Sequence, residues 1–144
     1  MKFFKINSAF VFLWIGFVCA ISFMEAWLKF RAPGVTLGLG LGIGKLVFST
    51  LNKIEWLLAI IILFYIIQSR QTFWTKTNAA FFVPVTILAL QSFWILPRLS
   101  IRADLIIAGK TPEASFLHFY YVGLEILKIM CLSYFGIKLL KSIK

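Results

Sequence analysis

Glu25, Glu55, Glu125, Lys53, Lys128 and His118 are titratable side chains set in or beside stretches of chain otherwise too apolar to hold them. From Trp56 to Ser69 the chain is uncharged, but this run is shorter than the roughly 20 residues that span a bilayer. A span there must reach back through Glu55 and Lys53. Near the other end, only Ile129 to Ile137 separates Lys128 from Lys138, Lys141 and Lys144, so a span there takes in Glu125 and Lys128. A charge at mid-membrane costs at least about 2.5 kcal/mol unless a partner or water meets it. Residues of this kind at this depth point to a ligand, ion or proton site.

Spacing gathers these residues onto faces. His118, Tyr121, Glu125 and Lys128 follow i, i+3, i+7, i+10, an arc of about 80° on a helix. Lys45, Ser49, Asn52 and Glu55 repeat the device one segment earlier, Ser22, Glu25 and Lys29 form a shorter stripe near the first span, and Gln91, Trp94 and Arg98 form another on the third. Such stripes are expected to face inward, because a charge turned to lipid has no partner. At 1.5 Å per residue, Glu55 lies about 15 Å along its helix from Lys45, and Glu125 about as far from Ser115. The two carboxylates are therefore expected at similar depth. A metal ion, were one bound, would draw on His118, Glu25 and Glu125. In the alternative reading, the three acids, Lys53, Lys128, His118 and Arg98 neutralise one another and only fix how the helices pack.

The elements that must carry these stripes follow from composition. With 61% hydrophobic and 14% charged residues and a mean hydropathy of +0.94, the 144-residue chain is an all-α integral membrane protein whose first partner is the lipid bilayer. Its net charge of +10 comes from Lys and Arg at the ends of apolar runs. There they snorkel toward anionic headgroups, so nucleic acid is not an expected partner. Cys19 and Cys131 fall inside apolar spans without CxxC spacing and read as small apolar filler. Lys2 and Lys5 ahead of Ala9 to Ala20 look like a signal peptide, but the apolar run continues through Met24 and reads as an uncleaved first helix.

Four transmembrane helices are expected, at about 7–28, 44–69, 77–96 and 115–139, with breaks at Pro33 and Pro97. Short connections make them an antiparallel bundle in one transmembrane domain. The side holding both termini and the loop Arg70 to Lys76 collects Lys2, Lys5, Arg70, Lys76, Lys138, Lys141 and Lys144, seven basic residues against six on the other. This bias places both termini in the cytoplasm of a bacterial inner membrane. All five acids, Glu25, Glu55, Asp104, Glu113 and Glu125, fall in the opposite half of the bundle.

Gly34, Gly38, Gly40, Gly42 and Gly44 precede Lys45, but Leu46 follows where a phosphate-binding loop needs Ser or Thr. Their spacing by four suits close backbone packing or a hinge, and 31–44 is expected as a partly membrane-dipping approach to the second helix. Ser-His-Asp and HExxH signatures are missing, and the single histidine excludes two-histidine haem ligation within one chain.

The stretches WIGFVCAISFMEAWLKFRAPG, GLGIGKLVFSTLNKIEW, WILPRLSIR and FLHFYYVGLEILKI carry short markers: Ala32-Pro33, Gly44 with Phe48, Pro97-Arg98 and Leu117-His118. In these the chain resembles a four-helix membrane family of unknown function that includes eukaryotic transmembrane proteins linked to platinum-drug resistance. Phe119 stands where that family has a small residue, and Glu25 with Lys29 is an addition. A looser similarity to the four-helix CopD and HemJ proteins implies metal or haem handling. The leading expectation is a homo-oligomer that binds or translocates a small ion or metal. The alternatives are a membrane enzyme or redox protein acting on a lipophilic substrate or porphyrin, lined by Trp56, Trp94, Tyr120 and Tyr121, and a non-catalytic scaffold.

Overall fold

The computed structural model describes residues 2–68 and 76–142. Ser69, the expected end of the second helix, and Arg70 and Lys144 of the basic side lie outside the described residues. Among the described residues, helical segments join end to end into four continuous runs. The first, α1 (residues 2–31), passes from α-helix Lys2–Val18 into a π-helical stretch Cys19–Glu25 and closes through Ala26–Leu28 in a 3-10 turn, Lys29–Arg31. Next come α2 (Leu37–Gln68) and α3 (residues 76–107), whose π turn Gln91–Ile95 separates Lys76–Leu90 from Leu96–Ile107. The last run is α4 (Leu117–Lys141). Three helices among the described residues are long and apolar enough to cross a membrane: Lys5–Arg31, Leu37–Gln68 and Thr77–Ile107.

The first helix starts at Lys2, ahead of the expected position 7, and two further boundaries differ from the sequence reading. The second helix begins at Leu37 rather than near Gly44, so the glycines from Gly38 to Gly44 are in regular helix and not in a dipping approach. Thr36 starts it, its hydroxyl accepting a hydrogen bond from the Leu39 N–H at 3.3 Å, as helix N-caps do. Gly40 and Gly44 serve packing: a Cβ on Gly40 would fall 2.2 Å from the Phe30 ring and one on Gly44 3.2 Å from Lys29 Nζ, whereas Gly38 and Gly42 have nothing within 4 Å. Pro97 does not end the third helix, which runs on to Ile107. It sits in the first turn of the α segment that follows the π turn, where a missing N–H is tolerated. At the other connection α1 stops where Ala32 turns extended, ahead of Pro33, and Gly34 supplies φ +81°.

Sequence neighbours pack antiparallel. Moving up α2 from Lys45 to Asn52 to Trp56, partners on α3 run backwards from Asp104 to Ser92. On α3 and α4, Gln91 meets Glu125 while Phe81 meets Phe135. The circuit closes between α1 and α4, where Val11 and Phe12 lie against Gly136. Inside the half holding the start of α1 and the end of α4 sits the apolar core, with Val11, Trp14, Ile62, Phe81, Leu132 and Phe135 all but fully buried. The outer surface is apolar as well: Phe93 is 79% exposed, Leu46 72% and Met130 64%. In water that surface would be a liability, and against lipid it is ordinary.

Gly136 is the tightest point between α1 and α4, since an added Cβ would lie 3.1 to 3.2 Å from Phe12 and Val11, whereas Gly123 on the same helix has nothing within 4 Å. Gly136→Leu is therefore expected to destabilise the purified protein by about 1–3 kcal/mol through overpacking. Gly123→Leu gains the same helix propensity without the clash and should melt no lower than the parent. Thermal unfolding in one detergent reads both.

Candidate functional site

Glu55 on α2 and Glu125 and Lys128 on α4 meet in the middle of the bundle, each no more than 1% exposed. Lys128 Nζ donates to Glu55 Oε1 at 2.6 Å and to Glu125 Oε1 at 3.2 Å. The other two helices close the cluster with neutral donors. From α1 the Trp14 indole N–H donates to Glu55 Oε1 at 2.8 Å, and from α3 the Gln91 amide donates to Glu125 Oε1 at 3.0 Å. All four helices thus converge on one charged group. Glu125 and Lys128 are i, i+3 and share a face by helical geometry alone, while Glu55 arrives at matching depth from α2, which runs parallel to α4.

One turn above lies a cavity of about 400 Å³ between the end of α1, the start of α2, the end of α3 and the start of α4, a volume suited to a small ligand. Tyr121, Asn52 and Ser92 line it nearest the cluster, and Phe30, Phe48 and Leu96 give it apolar walls. Tyr121 is buried, packs edge-on to Phe48 at 5.5 Å, and its hydroxyl adjoins Glu125 and Ser22. Asn52 and Trp56 both donate to Ser92 Oγ, at 2.7 and 2.9 Å, which clamps α2 to α3 beside the cavity. Lys29, Lys45 and His118 also line it. Lys29 pairs with Glu25 at 3.1 Å and lies over the Phe30 and Phe48 rings, and Lys45 pairs with Asp104. Arg102 donates to the Glu113 carbonyl oxygen at 2.6 Å.

The candidates named from sequence divide accordingly. Glu55, Tyr121, Glu125 and Lys128 form or border the buried cluster, and Lys29, Lys45, Asn52 and His118 line the cavity. Glu25 stands beside it through Lys29. Lys53 and Arg98 belong to neither: Lys53 is exposed on the outer face, and Arg98 is exposed over the Trp94 ring at 5.1 Å. The stripe Gln91, Trp94, Arg98 splits because of the π turn. There the backbone bonds run i to i+5, so residues three apart no longer share a face; Gln91 and Ile95 turn inward instead. Trp94 and Tyr120, expected to line a flat ligand, are exposed.

His118, Glu25 and Glu125 are not gathered. Seven residues separate His118 from Glu125, about 10 Å along the helix, and each acid already holds a lysine. Among the described residues no group of three or more His, Cys, Asp or Glu side chains is placed to hold a metal ion.

Trp14 and Gln91 complete the cluster, yet Trp14 drew no notice in the sequence. Its indole N–H lies in an otherwise apolar run, and a buried indole needs an acceptor. The signal was the need for a partner, with nothing in the chain to say which.

Removing one partner of a buried ion pair leaves the others uncompensated, at a cost of about 3–5 kcal/mol. Lys128→Met is therefore expected to lower stability by that order. Combining it with Glu55→Met and Glu125→Met removes the charge altogether and should recover most of the loss. Chemical or thermal unfolding of the single and triple variants checks this, and a triple variant less stable than the single one contradicts it.

Comparison of the chain with protein-family models, with characterised proteins and with solved structures finds no match.

Proposed function

We propose that the protein binds a small ion at the Glu55, Glu125, Lys128 cluster and passes it between the cluster and the cavity above. The reading rests on one observation: a fully buried cluster of two carboxylates and one ammonium, an odd charge count, lies a single helical turn from a cavity lined by polar side chains. A purely structural network would be expected to balance. With both acids ionised this one carries a net charge of −1, and a single positive charge from outside neutralises it. Tyr121, with its hydroxyl beside Glu125 and its ring on the cavity, stands at the passage between the two.

In this reading the chain crosses the plasma membrane four times. The fourth crossing is α4, whose two charges are met by Glu55 rather than by lipid. Both termini face the cytoplasm with the larger share of Lys and Arg, so the cavity opens on the opposite side. The charged intramembrane residues then serve as they do in ion and proton pathways, where the cost of burial is retained for the sake of transport.

The test is flux in proteoliposomes. Wild-type protein should carry protons or a small cation down an imposed gradient, and Glu125→Gln should abolish that flux while altering stability by no more than about 1–2 kcal/mol. Undiminished flux in the variant removes the cluster from the pathway. Absence of flux across a panel of ions removes the transport reading as a whole.

A further inference from the structure

The cavity above the cluster has chemistry that the ion reading leaves unused. Its walls are largely apolar, from Leu41, Phe48, Leu96 and Leu99, yet two lysines enter it and no acid lines it. Glu25 and Asp104, which pair with Lys29 and Lys45, stand behind their lysines rather than on the wall. Lys29 is turned inward, its side chain only 10% exposed. It donates to Glu25 Oε2, and its ammonium otherwise lies over the Phe30 and Phe48 rings beside Gly44, whose missing Cβ leaves it room. An ammonium can donate three times, so Lys29 keeps donors for an acceptor inside the cavity.

Charge at this end of the bundle favours an anionic acceptor. Beyond the depth of the cluster stand Lys29, Arg31, Lys45, Arg98, Arg102 and Lys110 against Glu25, Asp104 and Glu113, six basic side chains to three acidic. The surplus of three positive charges remains after each acid has taken one base. An anion that also fits apolar walls must carry an apolar part of its own, since desolvating a bare inorganic ion among Leu and Phe is costly.

Depth and access point to lipid as the source of that apolar part. At 1.5 Å per residue the 32-residue α2 is about 48 Å long, more than a hydrocarbon core of about 30 Å, so its ends pass into the headgroup zones. Beside the cavity Arg31 lies over the Trp27 ring and Arg98 over the Trp94 ring, and aromatic residues of this kind mark membrane interfaces. The cavity is also open at the side. Lys76–Leu90 of α3 packs along α4, but Leu96–Ile107 scarcely approaches it, and α1 meets α4 through Lys2–Val18 rather than through 19–31. The start of α4 therefore stands off from its neighbours and leaves a lateral mouth.

We infer that the cavity is a binding site for a single-chain amphiphile with an anionic head, a carboxylate or a phosphate, taken from the surrounding leaflet. Lys29 and Lys45 hold the head, Phe48, Leu96 and Leu99 cover the first part of the chain, and the remainder passes out beside the start of α4. A volume of about 400 Å³ encloses a head and part of one chain. The inference rests on the membrane reading of the chain and stands apart from whether the cluster passes an ion.

The experiment is photolabelling of the full chain in phosphatidylcholine nanodiscs with a hexadecanoic acid that carries a diazirine near its carboxyl end. Labelling should saturate, map to peptides within 40–52 and 92–103, and be displaced by palmitate or by hexadecyl phosphate; whichever of the two displaces it at lower concentration names the head. Methyl palmitate, cetyltrimethylammonium and inorganic phosphate should not displace it. Lys29→Gln and Lys45→Gln should each raise the half-saturating concentration at least about tenfold, the loss of one charge-assisted hydrogen bond. Glu25→Gln and Asp104→Asn keep the lysines and remove their resident acids, so they should bind at least as tightly as the parent. Weakening by all four variants alike assigns the lysines to structural ion pairs and overturns the site. So does displacement by the methyl ester or the cationic amphiphile as readily as by palmitate, displacement by inorganic phosphate, or unsaturable labelling spread over the lipid-facing surface. The competition series on the wild-type protein decides the matter by itself if a variant fails to fold.

Discussion

The interaction on which the rest depends is the contact of Lys128 with Glu55 and Glu125. In a medium of low dielectric an unpaired ion is costly, so these three side chains restrict how α2 and α4 can lie against each other. The apolar faces alone would not. Leu, Ile and Phe pack about as well after a one-turn slip, whereas a slip of one turn here would strand Lys128 from Glu55. The neutral donors extend the constraint to the other two helices, Trp14 from α1 and Gln91 from α3. One ionic contact thus sets register around the whole ring.

Above and below that level the bundle has different contents for the same reason. Below, Val11, Ile62, Phe81, Leu132 and Phe135 fill the interior without polar groups, and small residues such as Gly136 bring α1 and α4 close. Above, the lysines at positions 29 and 45 carry their own acids, Glu25 and Asp104, and the helices stand apart around a cavity. The charged cluster lies at the boundary, sealed by apolar packing on one side and reached through Tyr121, Asn52 and Ser92 on the other. Two of the four helices depart from α geometry there, with π turns in α1 and α3 at Ser22 and Gln91, while α2 and α4 supply the charges.

Much of this was legible in the sequence, because it followed from a shortage. Apolar runs too short to span forced Glu55, Glu125 and Lys128 inward, and the i, i+3 spacing of Glu125 and Lys128 gave them one face. The helical class followed from hydropathy. What escaped was whatever depends on departures from the α-helix or on partners far along the chain. Arg98 and Trp94 were grouped with Gln91 by α-helical spacing, and the π turn undid it. Lys53 was counted with the site because it neighbours Glu55 in depth, yet two positions along a helix point to nearly opposite sides. The spacing of the glycines by four pointed to close packing, and Gly40 and Gly44 do lie against Phe30 and Lys29, but the dipping approach expected over 31–44 gives way to helix from Leu37, whose partners lie in the preceding run.

The same accounting explains how α4, with Glu125 and Lys128 in its interior, sits at the centre of the ionic network. Glu125 and Lys128 would each cost at least about 2.5 kcal/mol if α4 stood alone in lipid. Pairing at i, i+3 answers part of that cost within the helix itself, but Lys128 lies closer to Glu55 than to Glu125, 2.6 against 3.2 Å. The stronger partner is on α2. In lipid α4 would therefore be a conditional element, satisfied only once α2 presents Glu55 and α3 presents Gln91. An interior arranged in this way couples the docking of the last helix to completion of the charged cluster, so the contacts that hold the bundle together also set the one group of buried charges beside the cavity.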